Sequence, residues 1–257
     1  MAQKILIGYS FLLVIVVQLA IGQGSSGSDA KIEPRYLIDL PTAGTLSHGG
    51  IALDMDFYQE GGLLSGLSLG VFDRLLVGVS YGGSNILGTA KPVWNATPGL
   101  SLKVRLIDET IFLPAIALGF DSQGREAYDE QFGRYAIKSL GFYAVASKNY
   151  RALGFLSLHG GVNYSLERGD GDSDPNLFVG AEKTAGSFVS LLGEYNLGLN
   201  DSNQDALGRG RGYFNIGFRA SVGGGLTLGF NLKDIFKNQQ DITVGNRTMK
   251  IEYVKSL

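Results

Sequence analysis

Short segments in which apolar residues alternate with polar or small ones recur along most of this chain. In GLTLGFNLKD (residues 225–234) every second residue is Leu or Phe. A period of two is typical of a β-strand whose two faces meet different surroundings. Twelve segments of this kind predict twelve strands, in chain order: GIALDMDFY, GLLSGLSLGVF, RLLVGVSYGG, GLSLKVRLI, FLPAIALGF, AIKSLGFYAVAS, LGFLSLHGGVNYS, NLFVGAEKT, FVSLLGEYNLGL, YFNIGFRASV, GLTLGFNLKD and TMKIEYVKSL.

The connections between these segments alternate in length. From the second segment onward a short connection is followed by a long one, and only the first connection, QEGG, is short where a long one is expected. Tight turns should therefore collect at one end of the sheet and long loops at the other. An even strand number with this alternation is typical of bacterial outer-membrane barrels, which have short periplasmic turns and long outer loops.

The two faces indicate which surroundings each one meets. The polar face is mostly Gly, Ser and Asn with scattered charges of both signs, which favours a narrow enclosed interior over bulk water. About ten tilted residues span an apolar band about 25 Å tall, and in hydrocarbon only a closed sheet pairs all backbone groups. We therefore predict an all-β fold, a closed antiparallel transmembrane β-barrel of about 12 strands, over residues 49–257. The alternative is a secreted soluble β-sandwich that acts as an adhesin or binding module.

The region before the first strand divides into three parts. One Lys and an apolar run from Ile5 to Ala20 predict a cleaved secretory signal peptide, residues 1–22, with a retained membrane anchor as the alternative. Residues 23–33 are Gly/Ser-rich and predict a flexible linker. Residues 34–48 are a periplasmic lead-in or a small plug, because they are neither strand nor linker and are rich in apolar residues.

Composition excludes several classes of function. The formal net charge is only −2, and no basic excess points to nucleic acid as a partner. Cys is absent, so neither disulfides nor a lipidated N-terminal Cys can hold the mature protein. Aromatic residues near the outer ends of the predicted strands, on the apolar face, predict an aromatic girdle at the membrane interface; these are Phe57, Tyr81, Phe120, Tyr164 and Phe214.

Charged residues on the inward face are candidates for lining the lumen. They can line a permeation path and set its selectivity, or they can pair with each other and close a small interior. The alternation pattern leaves both outcomes open. The candidates are Asp54, Asp56, Arg74, Lys103, Arg105, Lys138, His159, Glu182, Glu194, Arg219, Lys233, Lys250 and Glu252.

Two groups of residues could carry chemistry. Asp170, Asp172 and Asp174 in GDGDSDPN have the alternate spacing that opens a Ca²⁺ loop, but no Glu follows at the twelfth position, which favours a solvated acidic turn. Weak Ca²⁺ binding in this surface loop is the one cofactor hypothesis. His159 shares a strand face with Ser157 and Asn163, as a hydrolase triad requires. That face points into the barrel, so we predict no enzyme.

The start of the predicted barrel resembles a known family. IDLPTAGTLSHGGIALDMDFY and the following GLSLGVFDRLLVGVSYGG are similar to YjbH-like outer-membrane β-barrel proteins, in which a Pro-Thr-Ala motif precedes the first strand. The motif here is Pro41, Thr42 and Ala43, and the resemblance covers residues 34–85. It implies an association with exopolysaccharide production in a Gram-negative bacterium and carries over no catalytic residue.

Together these observations predict a passive function in the bacterial outer membrane. The chain is interpreted as a narrow pore, or as a structural or export-associated barrel linked to surface polysaccharide. Its expected partners are outer-membrane lipid and lipopolysaccharide, the outer-membrane assembly machinery and polysaccharide.

Overall fold

The structure is a computed structural model that describes residues 25–203, 205–240, 242 and 245–256. The predicted signal peptide and its cleavage site lie outside these residues. In the described part of the chain no helix is long and apolar enough to cross a membrane.

The described residues form fifteen β-strands. Their bounds are β1 Ile51–Tyr58, β2 Gly62–Val71, β3 Leu75–Ser84, β4 Val93–Trp94, β5 Gly99–Ile107, β6 Ala115–Asp121, β7 Arg125–Asp129, β8 Arg134–Ile137, β9 Gly141–Arg151, β10 Phe155–Tyr164, β11 Asn176–Thr184, β12 Val189–Asn196, β13 Tyr213–Gly223, β14 Leu226–Lys233 and β15 Asn246–Lys255. Each of the twelve predicted segments contains or overlaps one long strand, so that prediction is confirmed. The three short strands β4, β7 and β8 lie in loops.

The twelve long strands close into a single antiparallel barrel. Each pairs with its neighbour in the chain, and β1 pairs with β15 to complete the ring. The closing register places Asp54 opposite Glu252 and Asp56 opposite Lys250. The predicted fold class is confirmed. The β-sandwich alternative is wrong for this fold, because one closed sheet replaces two packed ones.

The barrel is apolar outside and polar inside. On β5, for example, Leu102 points outward and is 48% exposed, whereas Lys103 points inward and is 1% exposed. Most outward Leu, Val and Phe side chains along the other strands are exposed in the same way. This is the reverse of a water-soluble sandwich, in which such residues lie between the sheets. A closed sheet with an apolar exterior satisfies the backbone requirement of a hydrocarbon environment.

Short and long connections lie at opposite ends of the barrel, which we call the turn end and the loop end. The shortest turn is Gly224–Gly225 between β13 and β14; both residues have positive φ, 61° and 87°, a conformation that glycine adopts without steric cost. The longest connection, residues 122–140, contains the β7–β8 hairpin, which we call the outer hairpin (residues 125–137). The predicted alternation of connection lengths is confirmed, including its exception at residues 59–61.

The predicted aromatic girdle lies on the outer face at the loop end. Tyr81 stacks on Trp94 with ring centroids 5.7 Å apart, and Phe120 packs against Phe142 at 5.0 Å. Phe57, Tyr164 and Phe214 occupy equivalent positions at the ends of their strands.

Candidate functional site

Residues 25–48, which we call the N-terminal segment, enter the barrel at the turn end, and residues 35–46 of this segment lie inside the barrel. Its first residues are bound at the turn end, where the amide of Gly27 donates to Ser190 Oγ at 2.9 Å. Its last residues return to the same end, where the amide of His48 donates to Asp73 Oδ1 at 2.7 Å. The sequence predicted a flexible linker over residues 23–33. Residues 25–29 instead hydrogen-bond to the barrel, because their backbone groups and hydroxyls find partners there.

The middle of the N-terminal segment folds into a tight hairpin, residues 35–42, which we call the inner hairpin. The amide of Leu37 donates to the carbonyl of Leu40 at 2.8 Å, and the amide of Thr42 donates to the carbonyl of Arg35 at 3.1 Å. Tyr36 and Pro41 form an isolated bridge between the two arms. The hairpin therefore supplies its own backbone hydrogen bonds, which lowers the cost of placing it in the interior.

Apolar side chains of the N-terminal segment pack against apolar residues of the wall. Leu40 and Ala43 share a buried cluster with Val145 and Phe178, and Leu37 packs with Leu192. These wall residues point inward, against the general pattern. Apolar residues on the otherwise polar face indicate an apolar partner inside the barrel. The period-two pattern alone did not reveal this signal.

Arg35 forms a buried ion-pair triad with two strands of the wall. Its Nη2 donates to Asp54 Oδ1 at 2.8 Å and to Glu252 Oε1 at 3.0 Å, and its Nη1 donates to Ser68 Oγ at 3.2 Å. Burial by itself would lower the pKa of Arg35, but Asp54 and Glu252 raise it above its ordinary value. Arg35 is therefore a permanent buried cation, matched by the two carboxylates that β1 and β15 place opposite each other.

The carboxylate of Glu194 binds the tip of the inner hairpin. It accepts hydrogen bonds from the amides of Ile38, Asp39 and Leu40, each at about 3.0 Å, and from Asn215 Nδ2 at 2.8 Å. Successive backbone N–H groups that point at one anion form a nest, which stabilises the charge without a cationic side chain.

Two cations of the wall bind backbone carbonyls of the same segment. Lys103 Nζ donates to the carbonyls of Arg35, Thr42 and Gly44 at 2.9 to 3.0 Å. Arg219 donates to the carbonyl of Tyr36 at 2.9 Å and also to that of Leu37. The inward charges predicted to line a path are thus partners of the N-terminal segment.

The inner hairpin meets the outer hairpin at the loop end. Lys233 Nζ lies 2.6 Å from Asp39 Oδ2 and 3.1 Å from Glu126 Oε1. Arg125 Nε lies 3.8 Å from Asp39 Oδ1. Because Asp39 belongs to the inner hairpin while Arg125 and Glu126 belong to the outer one, these ion pairs join the two across the interior.

Little space remains between these elements. A cavity lined by Tyr36, Asp54, Asp56, Arg125 and Lys250, among others, has a volume of about 40 Å³. That volume holds only one or a few water molecules. Among the described residues, the interior around the inner hairpin is therefore filled, whereas a pocket of about 230 Å³ lies at the turn end beside Glu33 and Arg105.

Of the remaining residues that were predicted to line the lumen, three lie on the inward face and one, Arg74, does not. Arg105 pairs with Glu33 at 2.5 Å, Lys250 lies 3.5 Å from Asp56, and Glu182 is buried on the inward face. Arg74 was predicted to point inward, but it lies just before β3 at the turn end, where it is exposed and pairs with Asp108.

Lys138 belongs to a charged cluster at the loop end rather than to the lumen wall. The segment before β9 was predicted as strand, but Lys138 lies in the loop and binds Asp170 Oδ1 at 2.8 Å. Arg134 lies 2.5 Å from Asp170 Oδ2 and 2.6 Å from Asp201 Oδ1, and Tyr213 donates to Asp201. This cluster, which we call the lid cluster, ties the outer hairpin to two other loops.

The same cluster removes the basis of the Ca²⁺ hypothesis. Asp170 forms ion pairs with Arg134 and Lys138, whereas Asp172 accepts hydrogen bonds from the amides of Asp174 and Ser202. Among the described residues no three His or acidic side chains are grouped to hold a metal ion. The three Asp residues do not converge, because two cations that are distant in sequence take the place of a metal.

The geometry around His159 is not that of a triad. His159 Nδ1 lies 2.8 Å from Ser147 Oγ, which accepts the amide of Ala43. Ser157 donates to Asn149, and Asn163 donates to the carbonyl of Leu140. Ser157 and Asn163 therefore each have partners other than His159, and His159 is linked to the N-terminal segment through Ser147.

Comparison with known proteins finds no matching family model and no matching curated protein. Among solved structures, one titled "KdgM porin" has a TM-score of 0.48 and 9% identity, covering 79% of this chain and 98% of that chain. Another, titled "NanC porin structure in rhombohedral crystal form", has a TM-score of 0.45 and 8% identity, covering 80% of this chain and 99% of that chain.

Acid is expected to loosen the lid cluster. Burial by itself would raise the pKa of Asp170, but the hydrogen bond from Lys138, the amide of Asp172 and the charge of Arg134 hold it below its ordinary value of 3.8. A carboxyl with a lowered pKa stabilises the folded loops while it is ionised, and this contribution is lost as the pH falls through that lowered pKa.

Pepsin cleavage in loop 165–175, relative to cleavage in loop 85–98, should therefore stay constant above pH 3.8 and rise below it. The Asp170→Asn variant should already be sensitive in the pH 4–5 range where the wild type is not. A constant cleavage ratio across the whole range would contradict this role of Asp170.

Proposed function

We propose that this chain is an outer-membrane β-barrel that forms a narrow channel and is held closed by its own N-terminal segment. Its partners are then the lipid and lipopolysaccharide around the barrel and the machinery that inserts barrels into the outer membrane. The proposal is supported by the closed sheet, the apolar exterior and the polar interior, which together match a membrane barrel.

The observation that carries the closed state is the binding of the inward charges by the N-terminal segment. Lys103, Glu194 and Arg219 each bind backbone atoms of residues 35–44. These contacts are charge-assisted hydrogen bonds, which are roughly twice as strong as neutral ones. A wall that binds a peptide in this way becomes a hydrated path of mixed charge when the peptide leaves.

Deleting residues 34–46 is expected to open the channel. The deletion removes the inner hairpin and frees Lys103, Glu194 and Arg219, whereas the strands keep their mutual pairing. In planar bilayers the full chain should show little conductance, and the deletion variant should show discrete single-channel steps.

Two controls keep this result interpretable. Heat-modifiable migration on a gel reports whether each variant forms a barrel, so a folding failure is separated from a functional one. Deleting the exposed loop residues 88–92 shortens the chain without touching the inner hairpin and should leave conductance unchanged. A folded deletion variant that conducts no better than the full chain would refute the plug.

A link to surface polysaccharide is a second proposal, supported by the resemblance of residues 34–85 to the YjbH-like proteins. The residues of its Pro-Thr-Ala motif are buried in the docked segment: Lys103 binds the carbonyl of Thr42, and Ser147 binds the amide of Ala43. If the motif serves docking in an export-associated barrel, a Thr42→Val/Ala43→Val variant should change the amount of secreted polysaccharide. Unchanged secretion from cells that contain the folded variant would contradict the link.

A further inference from the structure

We propose that the turn between β5 and β6, residues 108–114, is a membrane anchor that places Ile111 and Phe112 among the lipids of the periplasmic leaflet. The inference rests on the proposed function in one respect, since it takes the apolar exterior of the barrel to face lipid. We call residues 108–114 the anchor turn.

The anchor turn has a defined shape. The amide of Thr110 donates to the carbonyl of Leu113 at 2.9 Å, and Thr110 Oγ1 accepts from the amides of Phe112 and Leu113 at 3.3 and 2.9 Å. These bonds present the side chains of Ile111 and Phe112, which are 87% and 90% exposed. Two large apolar side chains are thus held at the tip of a structured turn with almost no protein packed on them.

The anchor turn bends back along the outer wall of the barrel because a lysine there binds its carbonyl groups. Lys148 lies on the outward face of β9, directly opposite Leu158 of β10, near the turn end. An unsatisfied ammonium on the lipid side of a barrel is unfavourable. Lys148 Nζ donates to the carbonyls of Ile111 and Leu113 at 3.2 and 3.4 Å.

A carboxylate and a third carbonyl complete the surroundings of this ammonium. Glu109 Oε1 lies 3.3 Å from Lys148 Nζ, and the carbonyl of Thr110 also accepts from it. Glu109 is itself fixed by the amide of Asn149 at 2.9 Å. The anchor turn therefore curls back along the outer wall and neutralises the lysine instead of extending into water.

The turn between β9 and β10, residues 152–154, also combines a lysine of the outer wall with an exposed apolar side chain. Lys183 on the outward face of β11 donates to the carbonyl of Leu153 at 2.6 Å, and the Leu153 side chain is fully exposed. The turn at Gly224–Gly225 carries no side chain that could do this. Each of the two turns thus combines a lysine that is hydrogen-bonded to the turn with an exposed apolar side chain next to the apolar outer face, and this arrangement favours contact with lipid over contact with water.

Fluorescence quenching by lipid tests the anchor. Trp94 is the single tryptophan of the chain, so a Trp94→Phe background leaves none. Phe112→Trp is added to this background and the protein is inserted into phosphatidylcholine vesicles with brominated acyl chains. Phe230→Trp, outward in the middle of β14, is the lipid-facing control, and Glu130→Trp, exposed in the outer hairpin, is the aqueous control.

The Phe112→Trp variant is expected to be quenched at least half as strongly as the Phe230→Trp variant, and the Glu130→Trp variant hardly at all. Quenching of Phe112→Trp at the level of the aqueous control, with Phe230→Trp fully quenched, would overturn the anchor alone. Absence of quenching in Phe230→Trp would overturn the proposed membrane barrel. Adding Lys148→Ala to Phe112→Trp should reduce quenching, and unchanged quenching would overturn the positioning role of Lys148.

Discussion

Replacing Arg35 with Met is expected to destabilise the docked N-terminal segment by about 3–5 kcal/mol, the usual cost of leaving buried charge without its partner. Arg35 neutralises Asp54 and Glu252 at the same time, so its loss leaves two carboxylates uncompensated in the interior. A cost of this size shifts the docking equilibrium by about two to almost four orders of magnitude. Single-channel recording should show a large rise in the open fraction, and trypsin should cleave at Lys31 faster.

The matched control removes the two carboxylates as well. The triple variant Arg35→Met/Asp54→Asn/Glu252→Gln leaves no buried charge in the triad, and neutral replacement of a whole buried ion pair is often tolerated. We expect it to recover most of the lost docking. If Arg35→Met docks as tightly as the wild type, the triad does not hold the segment. If the triple variant stays as open as the single one, the loss arises from shape rather than charge.

Leu228→Arg is expected to lower the stability of the barrel by about 2–4 kcal/mol, as for a charge at the middle of the apolar band. Leu228 lies on the outward face of β14, opposite Ile251 of β15 and Ala220 of β13. Urea unfolding in lipid vesicles, followed by the heat-dependent shift in gel migration, measures the change.

The same strand offers a control for depth. Leu226→Arg introduces the same charge on the same face, two residues nearer the turn end of β14, where the cost should be smaller because the side chain reaches the interface more easily. Equal tolerance of both substitutions would contradict a lipid-facing exterior. Equal and severe loss would indicate that both sites lie in protein contacts.

Local patterns account for what could be predicted of the barrel. Period-two alternation in segments such as 176–184 gave a strand with the same bounds as the structure. The segment 136–147 was less accurate, since β9 begins only at Gly141 and Lys138 belongs to a loop. The difference arises because an apolar stretch without a clean polar face does not show where a loop ends and a strand begins.

The contents of the interior could be predicted only in part. Residues 34–48 raised the hypothesis of a plug, but the ion-pairing residues Arg35, Asp39, Arg125 and Glu126 lie outside the barrel strands and were missed. Their charges within short loop-like segments give no periodic signal. The amount of free space inside the barrel also could not be predicted. A Cβ added to Gly217 would lie 2.3 Å from Asn231 Oδ1, so the inward face has little room there for larger side chains.

The sequence by itself determined a closed barrel of twelve strands, its inward and outward faces and the ends at which turns and loops collect. These properties follow from alternation, segment length and connection length, all of which are local along the chain. Only the tertiary structure decided that the inward charges bind the N-terminal segment and that the Asp cluster binds Arg134. Those partners are far apart in sequence, 217 residues for Arg35 and Glu252, and which charge meets which depends on strand register and on the path of the segment inside the closed sheet.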